Sequence, residues 1–242
     1  MLQKKNKFKP LYKQFIKLRE NVQGRKKLLK FKKQKWEKFI HFYKRKLKRY
    51  KKFKPNDQTQ YIVSKFPSRG NSYKKRFKNT LDAFKRFKLF YGGLPKKYIK
   101  KNIIKTIKKK PNKKCINFYL TFLEHLEQRL DTVLYRSKFS ISLRNARQLI
   151  VHGKVFVNNK PIKIPSYALK QGDLIKINPK FCSLIEKNIK NSDVWPIPPK
   201  YLSINYKTME IIINENIKQT NISTNFPFYL NLEKILVNYL KH

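Results

Sequence analysis

The chain is expected to be an α+β protein: a basic helical amino-terminal region, a small module of two helices and a β-hairpin, and a short carboxyl-terminal strand and helix. Three features of the sequence support this. Apolar residues recur at helical spacing in two consecutive short segments between Leu123 and Ile150. Apolar and polar residues alternate directly after them. Lys-rich segments interleaved with Phe, Tyr, Trp and Leu fill the first half of the chain.

Taken from the amino terminus, Leu28, Phe31, Lys35, Phe39, Phe42 and Lys46 fall at helical spacings, which predicts a long helix from about Gly24 to Lys52. Its charge runs nearly all round, so RNA phosphates on one side would be needed to stabilise it. Pro55-Asn56-Asp57 ends it, and a loop rich in Pro, Ser, Arg and Gly runs to Asn71. Tyr73 to Phe90 reads as a helix with Phe77, Leu81, Phe84, Phe87 and Leu89 for packing, stopped by Gly92-Gly93. Pro95 begins the next helix, which turns Tyr98, Ile99, Ile103, Ile104 and Ile107 inward. Lys108 to Lys114 is a linker by composition.

In the module, Leu123, Leu126, Leu130, Val133 and Leu134 form the buried stripe of one continuous helix. Arg129 and Arg136, seven apart, share a face away from that stripe. Arg129 could also pair with Glu124 or Glu127 on its own helix, and Asp131 suits the partner of a nearby arginine. Ser142 is a good N-cap for a second helix, and Gly153 suits its left-handed stop. Ala146, Leu149 and Ile150 point inward, while Arg144, Arg147 and Gln148 make a polar cluster at i, i+3 and i+4. Val155 and Val157 then alternate with Lys154, Phe156 and Asn158, and Asn159-Lys160 turns the chain back through Ile162 and Ile164. The candidate RNA contacts are Arg129, Arg136, Lys138, Arg144, Arg147, Gln148, His152, Lys154, Asn158 and Lys160. His152, beside Gly153, could equally serve only as a helix cap. Downstream, Trp195 to Pro199 is an extended connector, Leu202 to Asn214 reads as strand, and Asn231 to Lys241 as a short last helix.

This block resembles the RNA-binding module of the S-four family of small-subunit ribosomal proteins. The resemblance rests on RLDTVLYR at Arg129–Arg136, ARQLIVHGKVFVN at Ala146–Asn158, IPSY at Ile164–Tyr167 and QGD at Gln171–Asp173. FYGGL at Phe90–Leu94 looks like the family's Tyr-Gly-x-Leu helix break, and INYKTMEI at Ile204–Ile211 like its carboxyl-terminal segment, best in plant-type mitochondrial members. It covers roughly Tyr73 to Ile213. Leu143 stands where many bacterial members have an arginine, and Arg144 comes one position later, about a hundred degrees round an ideal helix. The resemblance implies a structural protein that binds the five-prime domain of small-subunit rRNA early in assembly, near the mRNA entrance and beside ribosomal protein five.

Composition bounds the same answer independently. Sixty Lys and Arg against 13 Asp and Glu give +47, a charge that repels itself in an isolated compact state and calls for a polyanion. Met1 to Lys114 holds 42 of the 60 basic residues and only four acids. Four segments follow: residues 1–54, a Lys-rich rRNA-binding extension; 55–119, a loop and helical domain; 120–178, the module; and 179–242, a carboxyl-terminal extension. Cys115 and Cys182 are too few and too far apart for a zinc site, and no cofactor is implied. Richness in Lys, Asn, Ile, Phe and Tyr fits an A/T-rich genome. With a leader lacking Ser before Ser64 and Ala before Ala83, it points to an organelle's own product, a mitochondrion ahead of a plastid or bacterium.

No paired carboxylates, Ser-His-Asp set or Gly-rich phosphate loop accompanies the module, so the chain reads as a non-enzyme. The alternative is an RNA-modifying enzyme of the pseudouridine synthase type, since Arg129-Leu130-Asp131 superficially matches its catalytic Arg-Leu-Asp. That motif here lacks a preceding Gly and a following catalytic domain. A tyrosyl-tRNA synthetase would need a nucleotide-binding signature, and a polybasic membrane-surface protein would not need the module.

Overall fold

The computed structural model describes residues 73–109, 115–190 and 198–214, with isolated positions at 14, 18, 22, 36–38, 40–41, 226, 232 and 235–236. Most of the expected helix from Gly24 to Lys52, the loop to Asn71, residues 110–114, most of the Trp195–Pro199 connector and most of the last helix lie outside the described residues. The chain divides into two compact units, residues 1–93 with 226–231, and residues 94–225 with 232–242.

In the first unit, α1 (Tyr73–Phe90) forms where the apolar spacing predicts it. Its carboxyl-terminal half carries the burial: Phe87 and Leu89 are buried, whereas Phe77 and Leu81 remain exposed. Phe90 and Tyr91 meet edge to face at 5.2 Å, and Phe226 packs 5.0 Å from Phe90. Gly92 and Gly93 take positive φ, and their N–H groups return to the Leu89 and Lys88 carbonyls, which closes the helix.

The second unit begins with α2 (Lys96–Lys109) and α3 (Cys115–Glu127), which pack together. Ile99 and Ile103 are buried as expected, but Ile104 and Ile107 are exposed, because packing covers only a narrow stripe of the helix. The expected continuous helix through Arg129 is two helices, α3 and α4 (Leu130–Arg136). Arg129 is extended between them and bridges Ala168. The Leu130 and Asp131 N–H groups donate to the Tyr167 and Pro165 carbonyls at 3.0 and 3.2 Å. A loop from the far side of the module thus satisfies the first turn of α4, and the helical ladder has no need to continue. Leu123, Leu126, Leu130, Val133 and Leu134 are nonetheless all buried.

Helix α5 (Leu143–Val151) starts at Ser142, whose hydroxyl accepts from the Asn145 N–H, and ends at Gly153 with φ +66°. Ala146, Leu149 and Ile150 are buried as predicted, and α5 packs on α4. Strand β1 (Val155–Val157) pairs with β2 (Lys160–Pro161) in a register that matches Val157 to Lys160. The turn is therefore Asn158-Asn159, both at positive φ, one residue earlier than expected. Asn tolerates that backbone, and paired left-handed residues match the twist of a hairpin. The return strand stops at Pro161, the Ile162 N–H still donates to the Val155 carbonyl at 3.2 Å, and Ile164 lies exposed.

The principal partner of β1 is β3 (Leu174–Ile177), with Val155 opposite Ile177 and Val157 opposite Ile175. The run Leu202–Asn214 is a hairpin, β4 (Leu202–Asn205) and β5 (Glu210–Ile213), and the sheet order is β2-β1-β3-β5-β4, antiparallel throughout. An unpredicted helix, α6 (Cys182–Lys190), buries Ile185, and its Asn188 amide donates to the Phe139 carbonyl at 3.1 Å. The buried Tyr201 hydroxyl donates to Glu127 Oε2 at 2.8 Å, tying the segment before β4 to the end of α3. Burial, together with the Glu127 charge, raises the pKa of that phenol well above its usual range.

Tyr201→Phe is expected to lower stability by about 1–2 kcal/mol, because Glu127 loses a buried donor while the ring stays packed. Urea unfolding at neutral pH measures this, and an unchanged midpoint would show that the bond contributes nothing.

Candidate nucleic-acid interface

The polar residues of the module fall into two sets, one consumed inside and one carried outside. Arg129 and Arg136 belong to the first, which corrects the expectation that both face outward. Arg129 Nε and Nη2 donate to the two Asp131 carboxylate oxygens at 2.9 and 2.8 Å. Its guanidinium also lies 4.9 Å over the Tyr98 ring. Burial opposes the charge of Arg129, but the hydrogen bonds and charge of Asp131 outweigh it and raise the pKa. Arg136 grips Glu127 with two bonds of 2.9 and 2.6 Å. Asp131 and Glu127 have no exposed surface at all. An unpaired carboxylate in such a place would cost several kcal/mol, so each acid recruits the nearest guanidinium. The break before α4 also removes the helical register on which the seven-residue spacing relied.

Arg147 spans both sets. Its Nε donates to Asp131 Oδ2 at 2.7 Å, while its side chain keeps 26% of its surface exposed. Arg144 lies one turn earlier on α5 and is half-buried; burial, then the charge of Arg147, lowers its pKa. Two guanidiniums held this close on one helix face create a position where an anion is favoured. Leu143 is buried, which leaves Arg144 as the cation of that turn. Gln148 and His152 are exposed at the following turns, and His152 caps the helix through its backbone N–H to the Gln148 carbonyl at 3.0 Å.

Lys154 lies with its ammonium 3.8 Å over the Phe181 ring, and Lys160 is exposed on the edge strand. Lys138 is half-buried with φ +65°, and burial, then the charge of Arg136, lowers its pKa. Asn158 is exposed, but its amide is engaged: Nδ2 donates to Asp173 at 2.9 Å and Oδ1 accepts from the Leu174 N–H at 3.0 Å. These bonds hold the hairpin turn against β3.

From Thr132 to Gly172 the chain carries eight Lys or Arg and no acidic residue. The carboxylates that border this stretch, Asp131 and Asp173, are both engaged in the bonds just described. What faces solvent is guanidinium, amide, imidazole and ammonium over a packed core, a surface suited to phosphate and ribose. Asp131, the one carboxylate that an Arg-Leu-Asp enzyme would need, is sealed between two arginines. Among the described residues no three His, Cys, Asp or Glu converge as metal ligands would. The signal for the buried pairs was present in the sequence: Glu127 and Asp131 are acids set among apolar positions in an otherwise basic chain.

Two outcomes test this division. Asp131→Asn is expected to destabilise the protein by about 3–5 kcal/mol, since it leaves two guanidiniums without their shared charge; calorimetry or urea unfolding reads the loss. Lys138→Asn is expected to stabilise it by about 0.5–1 kcal/mol, because Asn accepts positive φ and the half-buried charge is removed. A lower unfolding midpoint for Lys138→Asn would contradict this.

Comparison with known proteins agrees with the geometry. Residues 128–175 match the S4 domain, the span from the break before α4 into β3. The chain is 30% identical over 179 residues to the small ribosomal subunit protein uS4m of Marchantia polymorpha, covering 72% of this chain and 85% of that one. It is 36% identical over 160 residues to uS4 of Aquifex aeolicus, covering 62% and 73%. It is 34% identical over 187 residues to uS4c of Eimeria tenella, covering 71% and 90%. A chain that carries the S4 domain and follows these relatives along most of their length belongs to the uS4 family of small ribosomal subunit proteins.

Proposed function

We propose that this chain is a structural constituent of the small ribosomal subunit that binds small-subunit rRNA through the cationic face of α5 and the hairpin. The carrying observation is the placing of Arg144 and Arg147 three residues apart on one packed helix, within a stretch from Thr132 to Gly172 that contains no acidic residue. Such a clamp displaces counterions from converging RNA helices and lets their phosphates approach. Because A-form RNA hides its base edges, the face reads shape more than sequence. The contact set is Arg144, Arg147, Gln148, His152, Lys154 and Lys160, with Lys138 at its margin. Arg129 and Arg136 position this surface from inside.

Family membership supports a finer reading: nucleation of the rRNA five-prime domain during assembly, at a site near the mRNA entrance and beside ribosomal protein five. The mitochondrial-type relative and the A/T-rich composition support a mitochondrial ribosome as its home. The Lys-rich residues 1–54 would add diffuse phosphate contacts, with 55–119, 120–178 and 179–242 as the successive segments that follow.

Filter binding to small-subunit rRNA over a range of salt concentrations tests the reading. Affinity is expected to fall steeply with salt. Arg144→Gln is expected to weaken binding about tenfold, whereas Lys38→Gln, an exposed change in the basic amino-terminal region, moves it less than twofold. Equal effects from the two would mean that net charge alone drives binding.

A further inference from the structure

Beside the cations of α5 runs a segment whose backbone is fixed but whose largest side chains stay in solvent. Tyr167 is held on both sides of its peptide: its carbonyl accepts from Leu130 at 3.0 Å and its N–H donates to the Ile164 carbonyl at 3.1 Å. Pro165 accepts from the Asp131 N–H, and Leu169 donates to the Gln128 carbonyl at 2.9 Å. Yet Ile164 is 61% exposed and Tyr167 36%. Tyr135 and Phe139, the nearby aromatics of the same module, are buried. A loop tied down this firmly holds Ile164 and part of Tyr167 at the surface in a fixed place.

The loop also adjoins the candidate interface at both ends. Asp131, whose N–H meets Pro165, is the carboxylate that takes Arg147. At the other end Lys163 Cε comes within 3.8 Å of the position a Cβ on Gly153 would occupy, next to His152. The loop therefore adjoins the elements that carry the cations, and no acidic residue occurs from Thr132 to Gly172 to repel a polyanion.

We propose that the Lys163–Tyr167 loop is a second element of the RNA face, on which Tyr167 provides a stacking platform for an unpaired nucleotide whose phosphates are held by the α5 cations. This rests on the rRNA-binding reading above and adds a class of RNA to it. A continuous A-form duplex offers phosphates and 2′-hydroxyls but no open base face, whereas an unpaired base at a junction or bulge offers one. An acidic protein segment would match the cations but leave the ring without a flat partner.

The test uses the full chain and two probes, a small-subunit rRNA transcript from the chain's own source and a fully paired RNA duplex. Tyr167→Ala is expected to weaken rRNA binding about tenfold, the effect of losing one base stack. Tyr167→Phe stays within twofold of wild type, and Tyr167→Leu behaves like Ala, because it keeps apolar bulk but has no π-face. Duplex affinity and the slope of affinity against salt stay unchanged in all three, since no phosphate contact is lost. Thermal unfolding of each variant accompanies the binding data; should the Ala variant unfold, the comparison of Leu with Phe decides. Wild-type rRNA affinity in both Tyr167→Ala and Tyr167→Leu overturns the platform and leaves the rRNA-binding reading standing. The same result with Tyr167 shielded from nitration in assembled subunits assigns the loop to a protein neighbour instead. Wild-type protein that binds rRNA no more tightly than duplex, with no salt dependence, overturns both readings.

Discussion

Asp131 sits wholly buried between Arg129, which holds both of its oxygens, and Arg147, which reaches the second from α5. Its own N–H is taken by the loop at Pro165. Through this one residue the break before α4, the placement of α5 and the path of the Lys163–Tyr167 loop are joined. A carboxylate in a low-dielectric interior needs full compensation, and these three elements together supply it. The node therefore orients the elements, beyond whatever net stability the ion pairs contribute.

Glu127 does the same at the end of α3, where Arg136 and Tyr201 meet on it from α4 and from the segment before β4. Between them the two buried acids divide the arginines of a very basic chain into those that build the module and those that display charge. An arginine with its carboxylate inside the core is unavailable to a phosphate. Arg147 serves both purposes, gripping Asp131 through Nε while part of its side chain remains at the surface. Burial first, and then the charge of Arg147, lowers the pKa of Arg144.

The sheet extends beyond the residues that match the S4 domain. Strand β3 pairs on one side with β1 and on the other with β5, so the hairpin of residues 202–213 covers what would otherwise be an open edge. Tyr201 then fastens that hairpin to α3. The matched domain is in this way the centre of a larger sheet.

Local pattern was sufficient for much of this. The helices at Tyr73–Phe90 and Leu143–Val151, the Ser142 cap, the Gly153 stop, the buried leucine stripe and the cationic character of the module follow from spacing, capping chemistry and charge, which act over a few residues. What the spacing could not settle depended on partners far away in sequence. The break at Arg129 exists because Pro165 and Tyr167 supply carbonyls, and the inward turn of Arg129 and Arg136 exists because Asp131 and Glu127 are buried. The joining of Leu174–Ile177 to Val155–Val157 and to Glu210–Ile213 likewise needs contacts that no local window contains. A local sequence determines which face of a helix is apolar and how charged its other face is. Which of those charges reach solvent was decided only when the tertiary structure placed carboxylates, carbonyls and a tyrosine hydroxyl against them, because a buried charge is stable only beside its partner.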